Sequence, residues 1–403
     1  MRSSRVIQRC LQPRLLDLAA KFPVVTLTGP RQSGKTTLSR AAFTDKQYIS
    51  LEAPDVREFA RADPRGFLAT CRDGAILDEV HRVPDLLSYV QVEVDRDRSP
   101  GRFILTGSAN FSLLRSLGQS LAGRTALLEL LPLDLEETRL FGPLPTDVFT
   151  LLWRGTYPAV YDRRLDPEDW YPAYASTYLE RDVRSILNVG DLVAFQTFLR
   201  LAAGRVGQLV NLHALGADAG VTHATARAWL TVLEAGYIAW RLPPFHANVS
   251  SRLVKTPKFH FVDPGLACYL LGITSADQLR THPLRGFVFE TWVASEILKR
   301  FTHAGRTSPM MFFRSRDGAE VDIVVPGPTA LTAIEAKSGQ TVASDFFRGI
   351  TSFEAVAARL APPRAVRSFV VYGGGETQQR TKGTIVAWSA LNGLELPHDR
   401  RTG

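Results

Sequence analysis

Through the first third of the chain, short apolar runs at 24–28, 48–52, 75–79, 102–107 and 125–130 alternate with stretches of helical spacing. That alternation predicts a parallel α/β sheet, which receives ligands at the carboxyl ends of its strands. Beyond it the period changes. In "PEDWYPAYASTYLERDVRSIL", Tyr171, Tyr174, Tyr178, Leu179, Val183, Ile186 and Leu187 fall on one helical face, so these aromatics read as core rather than as a platform for stacking bases. Next, "NLHALGADAGVTHATARAWLTVLEAGYIAWRLPPF" spells a short helix, a Gly-Val turn and Thr222 as N-cap. A second helix follows with Ala226, Trp229, Leu230 and Leu233 inward, then a strand, the pattern of a winged helix-turn-helix. The last third reads as helix, two strands about an Asp-Gly turn, a third strand, a second helix and a fourth strand. The expected architecture is an α/β P-loop domain over residues 1–145, a helical linker with a winged helix over 146–275, and an αβββαβ domain over 276–403.

The chemistry is densest after the first strand. "VVTLTGPRQSGKTTL" runs an apolar strand into Gly29-Pro30-Arg31-Gln32-Ser33-Gly34-Lys35-Thr36-Thr37 and on into a helix, the P-loop pattern in its proper context. Gly29 and Gly34 let backbone N–H groups face phosphate oxygens, Lys35 reaches the outer phosphates, and Thr36 holds Mg²⁺. The apolar strand in "GAILDEVHRVPDLL" ends in Asp78 and Glu79. Asp78 suits the grip on Mg²⁺ and Glu79 the orientation or deprotonation of an attacking water, which argues for hydrolysis rather than phosphoryl transfer to a small molecule. The strand "RFILTGSANF" ends in Thr106, Ser108 and Asn110, where AAA-type proteins keep a residue that senses the γ-phosphate. Arg124 in "SLAGRT" and Arg31 each read either as stabilisers of transition-state charge or as ordinary arginines; for Arg124 that role would fall in its own subunit or a neighbour's.

The second candidate site lies far downstream. In "TAIEAKSG", strand alternation puts Glu335 and Lys337 on one face, and in "AEVDIVV" it does the same for Glu320 and Asp322. An acid and a base on one strand face are often a surface pair contributing little. Here they join Glu290 on the preceding helix. Glu290, Asp322 and Glu335 are expected to hold Mg²⁺, with Lys337 positioning a water or neutralising developing charge.

Charge and composition narrow the partners. The 403 residues carry a net charge of +8, and between Arg200 and His260 seven basic residues (Arg200, Arg205, Arg227, Arg241, Arg252, Lys255 and Lys258) face only Asp218 and Glu234. A polyanion such as DNA is therefore a partner to test for that segment. Yet His223, Thr225, Arg227 and Ala228, the exposed positions of the second helix, are a thin supply of base-reading groups. No stretch has the apolar length of a membrane span, and Cys10, Cys71 and Cys268 show neither zinc nor disulfide spacing, so a cytoplasmic protein is expected. The basic, amphipathic opening "MRSSRVIQRCLQPRLLDLAAKF" reads as a helix of the domain rather than a leader.

Taken in order, "LTGPRQSGKTTL", "ILDEVHR", "LTGSANF", "SLAGRT", "TYLERDV", "FVDPGL", "FVFETWV", "AEVDIVV" and "IEAKSG" resemble the bacterial and archaeal AAA-type ATPases that end in the domain of unknown function 4143. The resemblance spans nearly the whole chain. It implies that Gly34, Lys35, Thr36, Asp78 and Glu79 bind and hydrolyse ATP, and that the C-terminal part is similar to the restriction-endonuclease-like PD-(D/E)xK nucleases. The expected function is a Mg²⁺-dependent ATPase controlling a nuclease-like half that acts on nucleic acid, with homo-oligomerisation if Arg124 works in trans. The alternative is a signalling or scaffold NTPase that switches a protein-binding surface and carries an inactive nuclease fold.

Overall fold

A computed structural model describes residues 6–108, 120–179, 191–245, 256–315, 317–360 and 362–397. Asn110, Val183, Ile186, Leu187, Arg252 and Lys255 lie outside the described residues, and the side chains of Tyr178 and Leu179 are not described.

The first five strands are β1 (Val24–Thr28), β2 (Gln47–Ser50), β3 (Ala75–Asp78), β4 (Phe103–Thr106) and β5 (Thr125–Glu129), and they form one parallel sheet in the order β2-β3-β4-β1-β5. Both faces are covered, which is why the strands read as continuous apolar runs. Val24, Leu77, Phe103 and Leu105 pack into one buried cluster, while their neighbours Val25, Leu27, Ile76 and Ile104 pack into another. The order brings the carboxyl ends of β3, β4 and β1 side by side, the place where a P-loop and an acidic strand end can share a ligand.

In the middle segment, helices Leu212–Asp218 and His223–Ala235 meet at a tight turn, and Thr222 caps the second by accepting from the Thr225 N–H. Ala226, Trp229, Leu230 and Leu233 are buried as their spacing predicts. A three-stranded antiparallel sheet of β6 (Gln208–Leu209), β7 (Ala239–Leu242) and β8 (Lys258–Phe261) follows in the order β6-β8-β7. Tyr237 turns into the left-handed region at φ 56° and stands just before β7. Tyr171 and Tyr174 are core residues: Tyr174 stacks on Trp170 and is tilted against Tyr157, and Tyr171 meets Trp170 edge to face.

The C-terminal segment runs from helix Arg285–His303 through β9 (Met311–Arg314), β10 (Glu320–Pro326) and β11 (Ala330–Lys337) to helix Arg348–Ala357 and β12 (Ala365–Tyr372). Two further strands, β13 (Gln378–Arg380) and β14 (Gly383–Ala387), complete a six-stranded mixed sheet ordered β13-β14-β12-β11-β10-β9. One buried cluster runs from Leu152, Phe198 and Trp229 to Trp292, Ile334 and Trp388, so the middle helices and the C-terminal sheet share a core. No helix among the described residues is long and apolar enough to cross a membrane.

Candidate functional site

The phosphate loop turns at Gly29, whose φ of 146° and close approach to the Leu130 backbone exclude any side chain: a Cβ there would lie 2.2 Å from the Leu130 carbonyl oxygen. Gln32 and Gly34 also take positive φ, and Gly34 caps helix Lys35–Ala42. Such a run of turned peptides in front of a helix N-terminus gathers N–H groups into an anion-binding concavity. Lys35, only 6% exposed, donates to the carbonyls of Gly29 (3.1 Å) and Pro30 (2.7 Å). The Ser33 hydroxyl is buried without a hydrogen-bond partner, a polar group suited to a phosphate oxygen.

Asp78, at the end of β3, gathers hydroxyls from three elements. Thr36 donates to both of its carboxylate oxygens at 3.1 Å, Tyr48 donates at 2.7 Å, and Thr106 at the end of β4 donates as well. Burial and the bond to Asp78 push the Tyr48 hydroxyl up to about 12. Hard oxygens of Thr36 and Asp78, side by side at a helix N-terminus, fit Mg²⁺. Among the sensor candidates, Thr106 makes the contact with Asp78, while Ser108 is buried just past the strand end. Sequence reading did not find Tyr48, which lies on an adjacent strand with no motif of its own.

Glu79 takes a left-handed backbone (φ 58°), a strained conformation for a residue with a Cβ. Burial alone would raise its carboxyl, but the neighbouring His81 at 2.9 Å and the charges of Lys35 and Arg31 hold it down at about 2. It is therefore an ionised acceptor facing the phosphate loop, with Arg31 near enough to act on it electrostatically.

Arg124 stands elsewhere. It precedes β5 and its carbonyl bonds the N–H of Val24 at the start of β1, whereas the phosphate loop leaves the far end of that strand. Five residues of strand separate the two by roughly 15 Å. Its guanidinium forks onto Asp95 at 2.7 and 2.9 Å. Of the readings left open for Arg124, that position favours an ordinary ion pair or a role at a neighbour's site over one at its own chain's nucleotide.

A cleft of about 1000 Å³ in the C-terminal half contains Glu290, Asp322, Glu335 and Lys337 together. Lys337 donates to Glu335 at 2.8 Å, and Asp322 accepts from the Ala336 N–H at 2.9 Å, tying β10 to β11. Burial and the adjacent Asp322 push the Glu335 carboxyl up to about 8, against the pull of Lys337. Two carboxyls this close, both nearly buried, are a pair that a cation would stabilise. The expected three-carboxylate set is not formed. Glu290 bonds Lys258 (2.7 Å) from β8, which also contacts Glu320 and lies 3.4 Å from Asp322. An ammonium 2% exposed thus stands beside Glu290 where a metal ion was expected. Only Asp322 and Glu335 of that set fit a divalent cation. Among the described residues, the one group of three metal-capable side chains within 4.8 Å of one another is Cys10, Asp134 and Glu137. The last two are engaged in a helix capping box.

Lys258 also corrects the reading of charge in the middle segment. It is buried among acids rather than displayed to a polyanion, and Arg205 and Arg241 are paired with Asp218 and Glu234. The signal that could have found Lys258 was weak: a lysine inside the apolar run "KFHFV".

Three family models match in succession: an AAA domain over residues 21–139, the domain of unknown function 8612 over 145–277, and the domain of unknown function 4143 over 285–391. Two uncharacterized proteins, from Mycobacterium tuberculosis and Mycobacterium bovis, are each 33% identical over 319 residues, 77% of this chain and 69% of theirs. Among solved structures, a Walker-type ATPase of Pyrococcus abyssi aligns at 14% identity and a TM-score of 0.44, over 67% of this chain and 97% of its own. A Thermotoga maritima RuvB variant aligns at 19% identity and a TM-score of 0.31, over 59% of this chain and 90% of its own. With the P-loop, the acidic strand end and the matched C-terminal block in one chain, this protein belongs to the AAA-type P-loop ATPases that end in the domain of unknown function 4143.

Proposed function

We propose that the protein is a Mg²⁺-dependent ATPase of the cytoplasm whose nucleotide state controls a nuclease-like cleft acting on nucleic acid. Its parts are a P-loop domain (1–145), a winged-helix module (146–275) and a restriction-endonuclease-like domain (276–403). The observation that carries the reading is a contact chain between the two sites. The Tyr237 hydroxyl lies 3.1 Å from that of Thr28, the residue before Gly29, and donates to Glu129 at 2.9 Å. Tyr237 leads into β7, β7 pairs with β8, and β8 begins at Lys258, whose buried ammonium meets Glu290, Glu320 and Asp322 of the cleft. A short sheet thus meets the cleft acids at one end, and the residue that leads into it touches the base of the phosphate loop at the other.

Within the nucleotide site, the loop amides and Lys35 hold the phosphates, Thr36 and Asp78 offer the oxygens for Mg²⁺, and Glu79 orients the attacking water. Mg²⁺, when bound, neutralises charge on the phosphates. In the cleft, Asp322 and Glu335 supply the cation ligands and Lys337 sits where it can position a water or balance charge on a phosphodiester.

The test is cleavage of supercoiled plasmid with Mg²⁺ or Mn²⁺, with and without ATP, by wild type, Lys337→Ala and Lys35→Ala. Nicking is expected in wild type, lost in Lys337→Ala, and indifferent to ATP in Lys35→Ala. ATP turnover should fall at least about a hundredfold in Lys35→Ala. Absence of nicking under every condition would move the assignment to the second reading, an NTPase that switches a protein-binding surface. That reading is favoured by the acidity of the cleft, where Glu290, Asp317, Glu320, Asp322, Glu335 and Asp345 outnumber Lys337, Arg348 and Arg359. DNA affinity that falls steeply with salt would argue against it.

A further inference from the structure

Arg9 precedes every motif in the chain, yet it is only 5% exposed and its guanidinium lies directly behind the phosphate loop. One terminal nitrogen donates to the Ser33 carbonyl at 2.6 Å, the other to the Leu131 carbonyl just beyond β5 at 2.8 Å. Nε lies 2.9 Å from Glu137, which also accepts from the Cys10 N–H at 2.7 Å. Glu137 is itself fixed by a reciprocal capping box with Asp134. The fork is therefore anchored at its root and spans two backbone carbonyls, one in the phosphate loop and one just beyond β5.

We infer that Arg9 is a positioning residue of the nucleotide site, acting through the peptide between Ser33 and Gly34. A trans peptide is planar, so its carbonyl and its N–H point in opposite directions. Drawing the Ser33 carbonyl outward onto Arg9 turns the Gly34 N–H into the loop, toward the place where phosphate oxygens sit in a P-loop. A Cβ built on Gly34 would lie 3.4 Å from Arg9 NH1, so the guanidinium backs this peptide closely. Because Glu137 balances its charge, Arg9 contributes orientation rather than positive potential. The planar fork matters: a lysine ammonium has no fixed geometry with which to hold both carbonyls.

The inference rests on the nucleotide-binding reading, and the experiment separates the two. Affinity of the full chain for a fluorescent ADP analogue with Mg²⁺ is measured for wild type, Lys35→Ala, Arg9→Lys, and the double variant Arg9→Met with Glu137→Gln, which leaves no unpaired buried charge. Melting temperature is followed in parallel, since a merely structural role would lower it without changing the affinity of the folded protein. The double variant is expected to bind about tenfold more weakly. Arg9→Lys should fall between it and wild type. A folded Arg9→Lys or double variant with affinity within about twofold of wild type would overturn the inference. Failure of wild type itself to bind would overturn the nucleotide reading and this inference with it.

Discussion

Two lysines, each almost excluded from solvent, mark the two candidate sites and differ in what holds them. Lys35 in the phosphate loop donates to the neutral carbonyls of Gly29 and Pro30, and its charge helps keep Glu79 ionised. Lys258 in the cleft is surrounded by Glu290, Glu320 and Asp322. Burial alone would lower its proton affinity, but those acids drive it well above the usual lysine range. A lysine held by carbonyls keeps its field for a ligand's charge, while one enclosed by carboxylates has its field consumed by the fold. The N-terminal site is thus arranged around an incoming anion, and the C-terminal site around a cation it already contains.

The comparison breaks most visibly at Lys258. Replacing it with Met leaves Glu290 and Asp322 buried without their cation and should cost about 3–5 kcal/mol of stability, read by denaturant unfolding. Adding Glu290→Gln to the same chain should restore part of the loss. Lys258→Met with near wild-type stability would show that the acids do not depend on it.

A smaller effect, through pH, sharpens the same contrast. Glu335 titrates near 8 in the folded chain against an ordinary value of 4.5, so between those values the native state retains a proton that the unfolded chain has released. More protons bound in the native state means that stability falls as pH rises through that window and levels off above it. With chelator present, wild type should lose more stability than Glu335→Gln from about pH 5 to pH 8, the variant keeping only the loss due to other buried carboxyls such as Glu290, which burial and Asp322 also raise. Glu79 has the opposite sign. Its carboxyl is held near 2, so its contribution is present above about 4.5 and disappears only as pH falls toward 2. Parallel curves for wild type and Glu335→Gln would mean that Glu335 is ionised throughout.

How legible each site was follows from how it is assembled. Gly29 to Thr37 are consecutive, and their roles are backbone roles that the residue types themselves dictate, so the loop can be read as a string. Asp78 needed only the end of an apolar strand. The cleft is gathered from a helix, two paired strands and β8 of another segment. Strand alternation could place Asp322 with Glu320 and Glu335 with Lys337, but no periodicity could announce that Lys258 would arrive among them. Nor could it announce that Tyr237 would reach Thr28, since that depends on how two segments pack. The strand β13 was missed because a short, polar edge strand carries no apolar pattern and is defined by its pairing with β14, whereas β14, buried at Ile385, Val386 and Ala387, offered an apolar run that was not read as a strand.

Arg124 gives the smallest effect and a comparison between one subunit and two. Its pair with Asp95 is on the surface, with the guanidinium 33% exposed, at the end of the strands opposite the phosphate loop. Arg124→Ala should therefore change stability by less than about 1 kcal/mol. ATP turnover of dilute protein should match wild type, because no group of the same chain's nucleotide site has been touched. The informative variable is concentration. Arginine that completes a neighbour's site contributes only where copies associate, so a deficit growing with protein concentration would place Arg124 in a subunit interface. Equal turnover across the whole concentration range would leave it as a surface ion pair.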